Sequence, residues 1–229
     1  MSALLVRVPL LLSPFLNPNR VLKGTALLTP DLRNAARALL HHETPPAWLK
    51  MWDGPEDPLV WLRFLVSKSL ALSSWMERAK HQKLLQKPLD LADLFRADVF
   101  LNALRQQTAQ QTQQSIDSLK FVCAWQPGAL DSAALSCRLT GLYLQGCLFD
   151  GRRLSPTERT SSSICEVPEC TVAWLPASAP DPLGDGKLSF PLYDNEAREK
   201  VVARLMVPCS RADHDTWIRT AAAFFLKVK

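Results

Sequence analysis

The sequence predicts an α+β protein in which an N-terminal helical subdomain is followed by a C-terminal antiparallel β-barrel-like subdomain. Apolar residues recur at intervals of three and four as far as about residue 114, which is typical of helices. From about Ser115 onward, apolar and polar residues alternate, which is typical of strands. Several short strands separated by polar or proline-rich loops favour a sheet that folds over or closes, because open edges invite aggregation.

The first helix is predicted to begin at Thr29-Pro30-Asp31 and to end near His42. A threonine hydroxyl can cap the first free amide groups, proline loses no hydrogen bond at the first helical position, and an acid suits the first turn. The apolar stripe of this helix consists of Leu32, Ala36, Leu39 and Leu40.

A second and longer helix is predicted to start at Asp57-Pro58. Its apolar residues occupy two sets of helical positions, so we expect it to be buried on more than one side. The two sets are Leu59, Leu62, Val66 and Leu70, and Trp61, Leu65, Leu72 and Trp75. A short capped turn at residues 90–95 and a third main helix from Asp98 into the glutamine-rich residues 106–114 follow.

Residues 139–151 are predicted to form the central strand of the sheet. We expect Leu142, Leu144 and Leu148 to fill the core. Gly146 inside this strand predicts a bulge or a close approach of another backbone segment. The other predicted strands are residues 119–125, 135–139, 171–175, 187–192, 201–207 and 217–228.

Charge and cysteine content restrict the possible functions. The net charge is +5, but no run of five or six like charges appears, so we expect no nucleic-acid partner. Six cysteines without a Cys-x-x-Cys pair favour buried free thiols in a reducing compartment over a disulfide framework. Residues 1–16 are apolar but contain Pro9 and Pro14 and are too short to cross a bilayer, so we expect neither secretion nor membrane insertion.

The sequence contains no recognisable catalytic constellation. The Gly186-Lys187 pair lacks both the upstream glycine and the following Ser or Thr of a P-loop. The triplet at residues 41–43 matches the H-x-E part of a zinc-deaminase pattern, but Pro208-Cys209 lacks the second cysteine that this pattern requires. Paired carboxylates stand at predicted helix N-termini, where capping explains them. We therefore expect a protein that is not an enzyme and holds no cofactor or metal.

Seven short segments, taken in order, resemble the C-terminal domain of dynein heavy chains. They are residues 52–59 (WDGPEDPL), 89–95 (LDLADLF), 100–109 (FLNALRQQTA), 115–121 (SIDSLKF), 141–151 (GLYLQGCLFDG), 207–209 (VPC) and 217–218 (WI). The ordered set is highly specific and extends from about Lys23 to the C-terminus. Within the family it looks most like the second cytoplasmic dynein, the motor of retrograde intraflagellar transport in cilia.

This resemblance implies a helical part, residues 23–116, and a β-barrel-like part, residues 117–229, packed on one face of an ATPase ring. Residues 1–22 do not resemble the family. The implied function is non-catalytic: the domain docks on the ring in cis and modulates minus-end-directed movement along microtubules. Other dynein subunits as partners, and the cytoplasm, cytoskeleton and cilium as locations, are implied in the same way.

Two sets of residues are candidates for special roles. The candidate ring-docking surface, on the helical half, comprises Trp48, Trp52, Trp61 and Arg63. The structural motif of the resemblance comprises Gly141, Tyr143, Gly146, Asp150 and Gly151. Tryptophans favour core filling or a protein interface over a ligand platform here, because most fall on predicted strands or a helix stripe. The alternative function is a free-standing β-barrel module that binds a small ligand or a protein, which predicts a roomy interior.

Overall fold

A computed structural model describes residues 23–24, 27–52, 54–157, 164–183, 186–210 and 213–226. The protein divides into two compact units, Met1–Glu77 and Arg78–Lys229. These two units are defined by contacts between residues, whereas the predicted subdomains are defined by the change from helices to strands along the sequence. The predicted boundaries at residues 22 and 116 therefore stay a prediction.

Among the described residues of the first unit, three helices begin: α1 (Pro30–Leu40), α2 (Pro46–Leu49) and α3 (Pro58–Lys80). Both predicted caps are confirmed. The Thr29 hydroxyl accepts a hydrogen bond from the Leu32 amide at 3.3 Å, and an Asp57 carboxylate oxygen accepts one from the Val60 amide at 2.8 Å. Each cap satisfies a backbone donor that the first helical turn leaves free, so these helices begin where the sequence indicates.

The prediction that α3 is buried on more than one side is wrong. One face is buried and the opposite face, which is also apolar, is exposed. The buried positions are Trp61, Leu65, Lys68 and Trp75, and the exposed apolar positions are Leu59, Val66 and Leu70. Periodicity gives the angle between the two faces but not which of them is covered, because that depends on what packs against the helix.

The second unit contains the helices α4 (Ala97–Thr112) and α5 (His214–Arg219) and all the strands found among the described residues. The strands are β1 (Leu89–Asp90), β2 (Leu119–Ala124), β3 (Ser136–Thr140), β4 (Leu142–Gln145), β5 (Cys147–Phe149), β6 (Leu154–Pro156), β7 (Ile164–Glu166), β8 (Cys170–Pro176), β9 (Lys187–Tyr193), β10 (Val201–Pro208) and β11 (Ala223–Leu226). Helix α4 contacts β8, where the Trp174 indole N–H donates to the Leu101 carbonyl at 3.2 Å and the Arg105 guanidinium lies 5.0 Å from the Trp174 ring centre.

The described strands form two larger sheets and one hairpin. The first sheet has the order β1-β3-β8-β2 and the second has the order β10-β9-β11-β4-β7, while β5 pairs with β6. Two pairs are parallel, β1 with β3 and β11 with β9, and the other pairs within these sheets are antiparallel. The fold class is therefore α+β with mixed sheets.

The prediction of an antiparallel β-barrel-like subdomain is corrected in two respects. Strand β11 pairs parallel to β9 because β10 and α5 lie between them in the sequence and provide the crossover connection that a parallel pair needs. Within the described residues both larger sheets are open, since the terminal strands of each sheet do not pair with each other. The described strands thus do not close into a barrel.

Two predictions about individual residues are also wrong. Leu148 is exposed, and the neighbouring Cys147 is buried in its place, because Gly146 between β4 and β5 shifts the inward–outward alternation by one residue. Residues 214–219 form α5 rather than the start of a strand. The Asp213 carboxylate caps α5 by accepting the Asp215 amide at 3.0 Å, and β11 begins only at Ala223. Residues 227–228 of that predicted strand lie outside the described residues.

Candidate functional site

The three tryptophans of the candidate docking surface form one cluster, which is largely internal. The Trp48 and Trp61 rings are stacked with centroids 5.3 Å apart, and the Trp52 and Trp61 centroids are 5.5 Å apart. The Trp61 indole N–H donates to the Trp52 backbone carbonyl at 3.3 Å. Because Trp48 and Trp61 are buried, they pack beneath the surface of this unit and hold the surface residues in place.

The segment that carries Trp52 is held on both sides. The Thr44 amide and hydroxyl both donate to the Glu56 carbonyl, at 3.1 and 2.6 Å. A Cβ on Gly54 would lie 2.7 Å from both the Trp52 and the Trp61 rings, so this position has no room for a larger residue. The Lys68 ammonium lies 5.6 Å from the Trp52 ring centre, within the range of a cation–π interaction.

Of the four residues of the predicted docking surface, Arg63 is exposed, Trp52 is half-buried, and Trp48 and Trp61 are buried. It lies on the outward face of α3 together with Leu59, Val66 and Leu70, because positions 59, 63, 66 and 70 repeat every three or four residues. The exposed fractions of the three apolar residues are 71%, 53% and 67% in sequence order. We call these four residues the α3 stripe.

The sequence reasoning missed the three apolar members of the α3 stripe because it assigned them to the core. A signal was nevertheless present. Arg63 shares their face at helical spacing, and a charged residue in the middle of an apolar face indicates that the face is not buried within the domain.

The glycine-bearing segment is a structural junction in the second unit. Gly141 has φ +68°, and a Cβ there would lie 2.5 Å from a carboxylate oxygen of Asp90. Gly146 has φ +81°, and a Cβ there would collide with the Thr220 carbonyl, so the predicted close backbone approach is confirmed. The Tyr143 ring stacks on Phe225, with centroids 6.0 Å apart.

Asp150 and Gly151 form the turn between β5 and β6. One carboxylate oxygen of Asp150 accepts the amides of Arg152 and Arg153 at 2.8 and 2.7 Å. These hydrogen bonds stabilise the ionised carboxylate, so the pKa of Asp150 lies below its ordinary value. Gly151 has φ +89° in open space. Both residues therefore act on the turn and not on a bound ligand.

The cysteines are free thiols in the second unit, and five of the six are buried. Burial raises the pKa of Cys137 and of Cys147 to about 12 and that of Cys209 to about 11. A thiol with such a pKa is almost entirely protonated at neutral pH and is a poor nucleophile and metal ligand. Among the described residues, no group of three or more His, Cys, Asp or Glu side chains is arranged to hold a metal ion.

A small cleft in the second unit has a volume of about 100 Å³. Its lining includes Trp125, Gln126, Arg152 and Leu183. Sites for small molecules usually enclose ~300–1,000 Å³, so this cleft gives no support to the alternative of a ligand-binding barrel. None of the described helices combines the length and the apolar character needed to span a bilayer.

Comparison with known proteins gives a consistent result. The family model for the C-terminal domain of the dynein heavy chain matches residues 15–226. Relatives named "Cytoplasmic dynein 2 heavy chain 1" are 45% identical over 210 residues in Tripneustes gratilla, 44% over 210 residues in Homo sapiens and 36% over 221 residues in Chlamydomonas reinhardtii. Each match covers 91% of this sequence and 5% of the relative, so the protein spans about one twentieth of the length of these relatives.

Proposed function

Because the protein belongs to the family formed by the C-terminal domains of dynein heavy chains, we propose that it is a non-catalytic domain that docks on a dynein ATPase ring and modulates motility. The movement concerned is minus-end-directed along microtubules, in retrograde intraflagellar transport. The α3 stripe is the single observation that carries this proposal. The cytoplasm, the cytoskeleton and the cilium are the corresponding locations, and other dynein subunits are further partners.

The α3 stripe has the character of an interface. It places three large apolar side chains and one guanidinium along 12 helical residues, whose first and last are about 16 Å apart at the rise of an α-helix. Contiguous exposed apolar surface with a polar neighbour marks an interaction site more often than a random surface does. Arginine is enriched at such sites because its guanidinium can pair with a carboxylate while its stem packs on apolar groups.

The buried tryptophan cluster supports the same role indirectly. Trp61 lies on the face of α3 opposite the stripe, and its ring contacts with Trp48 and Trp52 fix the rotation of the helix. A docking face is effective only if its side chains are held in place before binding, since ordering them on binding costs free energy. The predicted docking residues thus divide into supporting tryptophans and an exposed arginine.

The domain would act by favouring one state of the ring over another. A domain without nucleotide chemistry changes a catalytic cycle only if it binds two conformations of the ring with different affinity. Docking through one helix face allows this, because a small rotation of the receiving surface would gain or lose contacts with all four stripe residues together.

The proposal is tested in a full-length cytoplasmic dynein 2 heavy chain that ends in this domain. Leu59, Val66 and Leu70 are replaced together by serine. We expect basal ATPase rate or velocity on microtubules to change by about fivefold, corresponding to a coupling free energy of about 1 kcal/mol. The readouts are steady-state ATPase rate, velocity and run length.

The matched control replaces three exposed apolar residues of the second unit, Ile164, Val201 and Ile218, by serine. It removes a similar amount of apolar surface, and we expect all three readouts to stay at wild-type values. If the stripe variant has an unchanged melting temperature together with unchanged ATPase rate, velocity and run length, the proposed docking role is wrong.

A further inference from the structure

We propose that Ser155 is a phosphorylation site for a proline-directed serine/threonine kinase that also selects arginine two and three residues before the target. Ser155 is followed by Pro156 and preceded by Arg152 and Arg153. A proline after the target residue and arginines before it are two independent recognition elements. Both recognition elements are present around Ser155, the arginines in the turn before β6 and the proline in β6 itself.

Sequence context separates Ser155 from every other Ser-Pro or Thr-Pro pair in the protein. The other three target positions are Ser13, Thr29 and Thr44. None of them has an arginine two or three residues earlier. In addition, Thr44 is buried, and the Thr29 hydroxyl accepts the hydrogen bond that caps α1. A kinase with both preferences would therefore select Ser155.

The structure exposes the residues that such a kinase must reach. Ser155, Arg152 and Arg153 are exposed, whereas Leu154 between them is fully buried and anchors the strand. Arg153 directly precedes β6 and Ser155 is the middle residue of that strand, so the two exposed side chains lie two residues apart along the backbone. Arginine guanidinium groups in this position can form paired hydrogen bonds with the acidic side chains of a kinase groove.

The backbone at Ser155 is already extended, which is the form in which kinases bind their targets. It lies in β6, a strand of three residues, and pairs with the exposed Leu148 of β5. On its other side β6 is held by a hydrogen bond from the Ser210 amide to the Leu154 carbonyl at 2.9 Å. A two-stranded hairpin of this length is marginally stable by itself, so brief local opening gives a kinase access to the backbone.

The reaction is an ordinary phosphoryl transfer from MgATP. The Ser155 hydroxyl oxygen forms a bond to the γ-phosphorus as the bond from that phosphorus to the β,γ-bridging oxygen breaks. ADP leaves, and the hydroxyl proton passes to the catalytic aspartate of the kinase. The product carries a phosphate of about −1.5 to −2 charges beside two arginines, so the local charge falls from about +2 to about zero.

The modification would change the outward face of the β5–β6 hairpin. The phosphate can accept charge-assisted hydrogen bonds from Arg153, which is exposed two residues earlier in the sequence. It would also introduce charge next to Leu148, an exposed apolar residue. A partner surface that recognises an apolar or basic hairpin would therefore be lost, and one that recognises a phosphate would be gained.

The test uses the full-length protein, MgATP and the kinase domain of a dual-specificity tyrosine-regulated kinase, which has both preferences. We expect incorporation of about one phosphate per molecule, located by mass spectrometry on Ser155 and absent in Ser155→Ala. Replacing Arg152 and Arg153 by alanine should lower kcat/KM at least tenfold, since the charge-assisted hydrogen bonds of both guanidinium groups to the kinase are lost. A mitogen-activated protein kinase, which selects proline alone, should show the same kcat/KM for the wild type and for the variant in which Arg152 and Arg153 are replaced by alanine.

Two results would overturn the proposal. The first is phosphate incorporation that persists in Ser155→Ala, which would place the modification elsewhere. The second is rapid phosphorylation of a peptide spanning residues 149–158 while the full-length protein stays unmodified, which would mean that the folded hairpin excludes the kinase. A phosphomimetic variant, Ser155→Glu, with an unchanged melting temperature would show that the folded hairpin tolerates the charge.

Discussion

Gly146 occupies a point where two backbone segments meet, and this contact sets the register of the strands around it. The Thr220 carbonyl lies so close that a Cβ at residue 146 would collide with it. The positive φ at this glycine shifts the backbone by one residue between β4 and β5, which turns Cys147 inward and Leu148 outward. At the residue scale, the glycine at position 146 thus determines which neighbouring side chain, Cys147 or Leu148, is buried.

Replacing Gly146 by alanine should destabilise the protein more than the same change at Gly151. Both glycines have positive φ, so both variants incur a backbone strain of about 1–2 kcal/mol. Only Gly146→Ala adds a collision with a backbone carbonyl, which we expect to cost a further ~1–3 kcal/mol. Urea unfolding of the two variants measures the difference, and equal midpoints would contradict the prediction.

Asp98 should make the free energy of unfolding depend on pH. Two hydrogen bonds from the Arg96 guanidinium, at 3.0 and 2.8 Å, and one from the Lys200 ammonium at 3.1 Å hold the pKa of Asp98 well below its ordinary value, although partial burial opposes this. Because the pKa of Asp98 is depressed in the folded state, its contribution to the free energy of unfolding is present above about pH 4, the ordinary pKa of aspartate. This contribution is lost as the pH falls further.

We therefore expect Asp98→Asn to lower the free energy of unfolding by about 1 kcal/mol at pH 7 and by less as the pH falls below 4. Chemical unfolding of both proteins between pH 2.5 and 7 provides the measurement. The control is Asp117→Asn, whose carboxylate is 97% exposed and should contribute little at any pH. A difference between wild type and Asp98→Asn that stays constant over this range would refute the assignment.

At the scale of the element, α3 has two apolar faces with different tasks. The inward face carries Trp61 and Leu65, which are fully or almost fully buried, and gives this unit much of its core. The outward face carries the α3 stripe, which adds little to the stability of the isolated unit because its side chains remain in water. Stability and docking are thus assigned to opposite sides of the same helix.

Two leucines of α3 should respond very differently to truncation. Leu65→Ala should cost about 2–5 kcal/mol, because it removes buried methyl groups and leaves a cavity. Leu70→Ala should change the free energy of unfolding by less than ~0.5 kcal/mol, because its side chain is exposed. Thermal and urea unfolding measure both effects. A large loss in Leu70→Ala would mean that the stripe is part of the core and not a docking face.

At the scale of the whole molecule, the thiols are concentrated in the second unit and tie its sheets together. The Cys123 thiol of β2 donates to the Met206 carbonyl of β10 at 2.8 Å, and the Met206 amide donates to the same sulfur at 3.0 Å. A buried thiol therefore bridges the edge strands of the two larger sheets. Its accessibility to reagents reports the opening of this unit.

A thiol reagent should distinguish Cys165 from the other five cysteines in the native protein. Cys165 is half-buried, whereas the others are buried, and burial also raises the pKa of Cys137 and Cys147 to about 12. Labelling with a chromogenic disulfide at pH 8 should show one fast thiol, absent in Cys165→Ser, and five that react only as fast as the unit opens. All six should react at once in denaturant. A thiol that still reacts fast in Cys165→Ser would contradict this.

The sequence by itself determined the local features of the protein: where α1 and α3 begin, where most of the longer strands lie, and that Gly146 meets another backbone segment. These follow from capping side chains, periodicity and the special conformations of glycine, all of which act over a few residues. The family resemblance also depended on short ordered segments that sequence alone contains.

Only the tertiary structure decided which face of α3 is covered, where β11 inserts and whether the sheets close. Each of these depends on groups distant in the sequence: the Trp48 and Trp52 rings pack against Trp61, and β11 enters beside β9 after the crossover through α5. An apolar residue has the same periodicity whether it faces a core or a docking partner. Its burial is set by the packing energy of non-local neighbours, which no local pattern specifies.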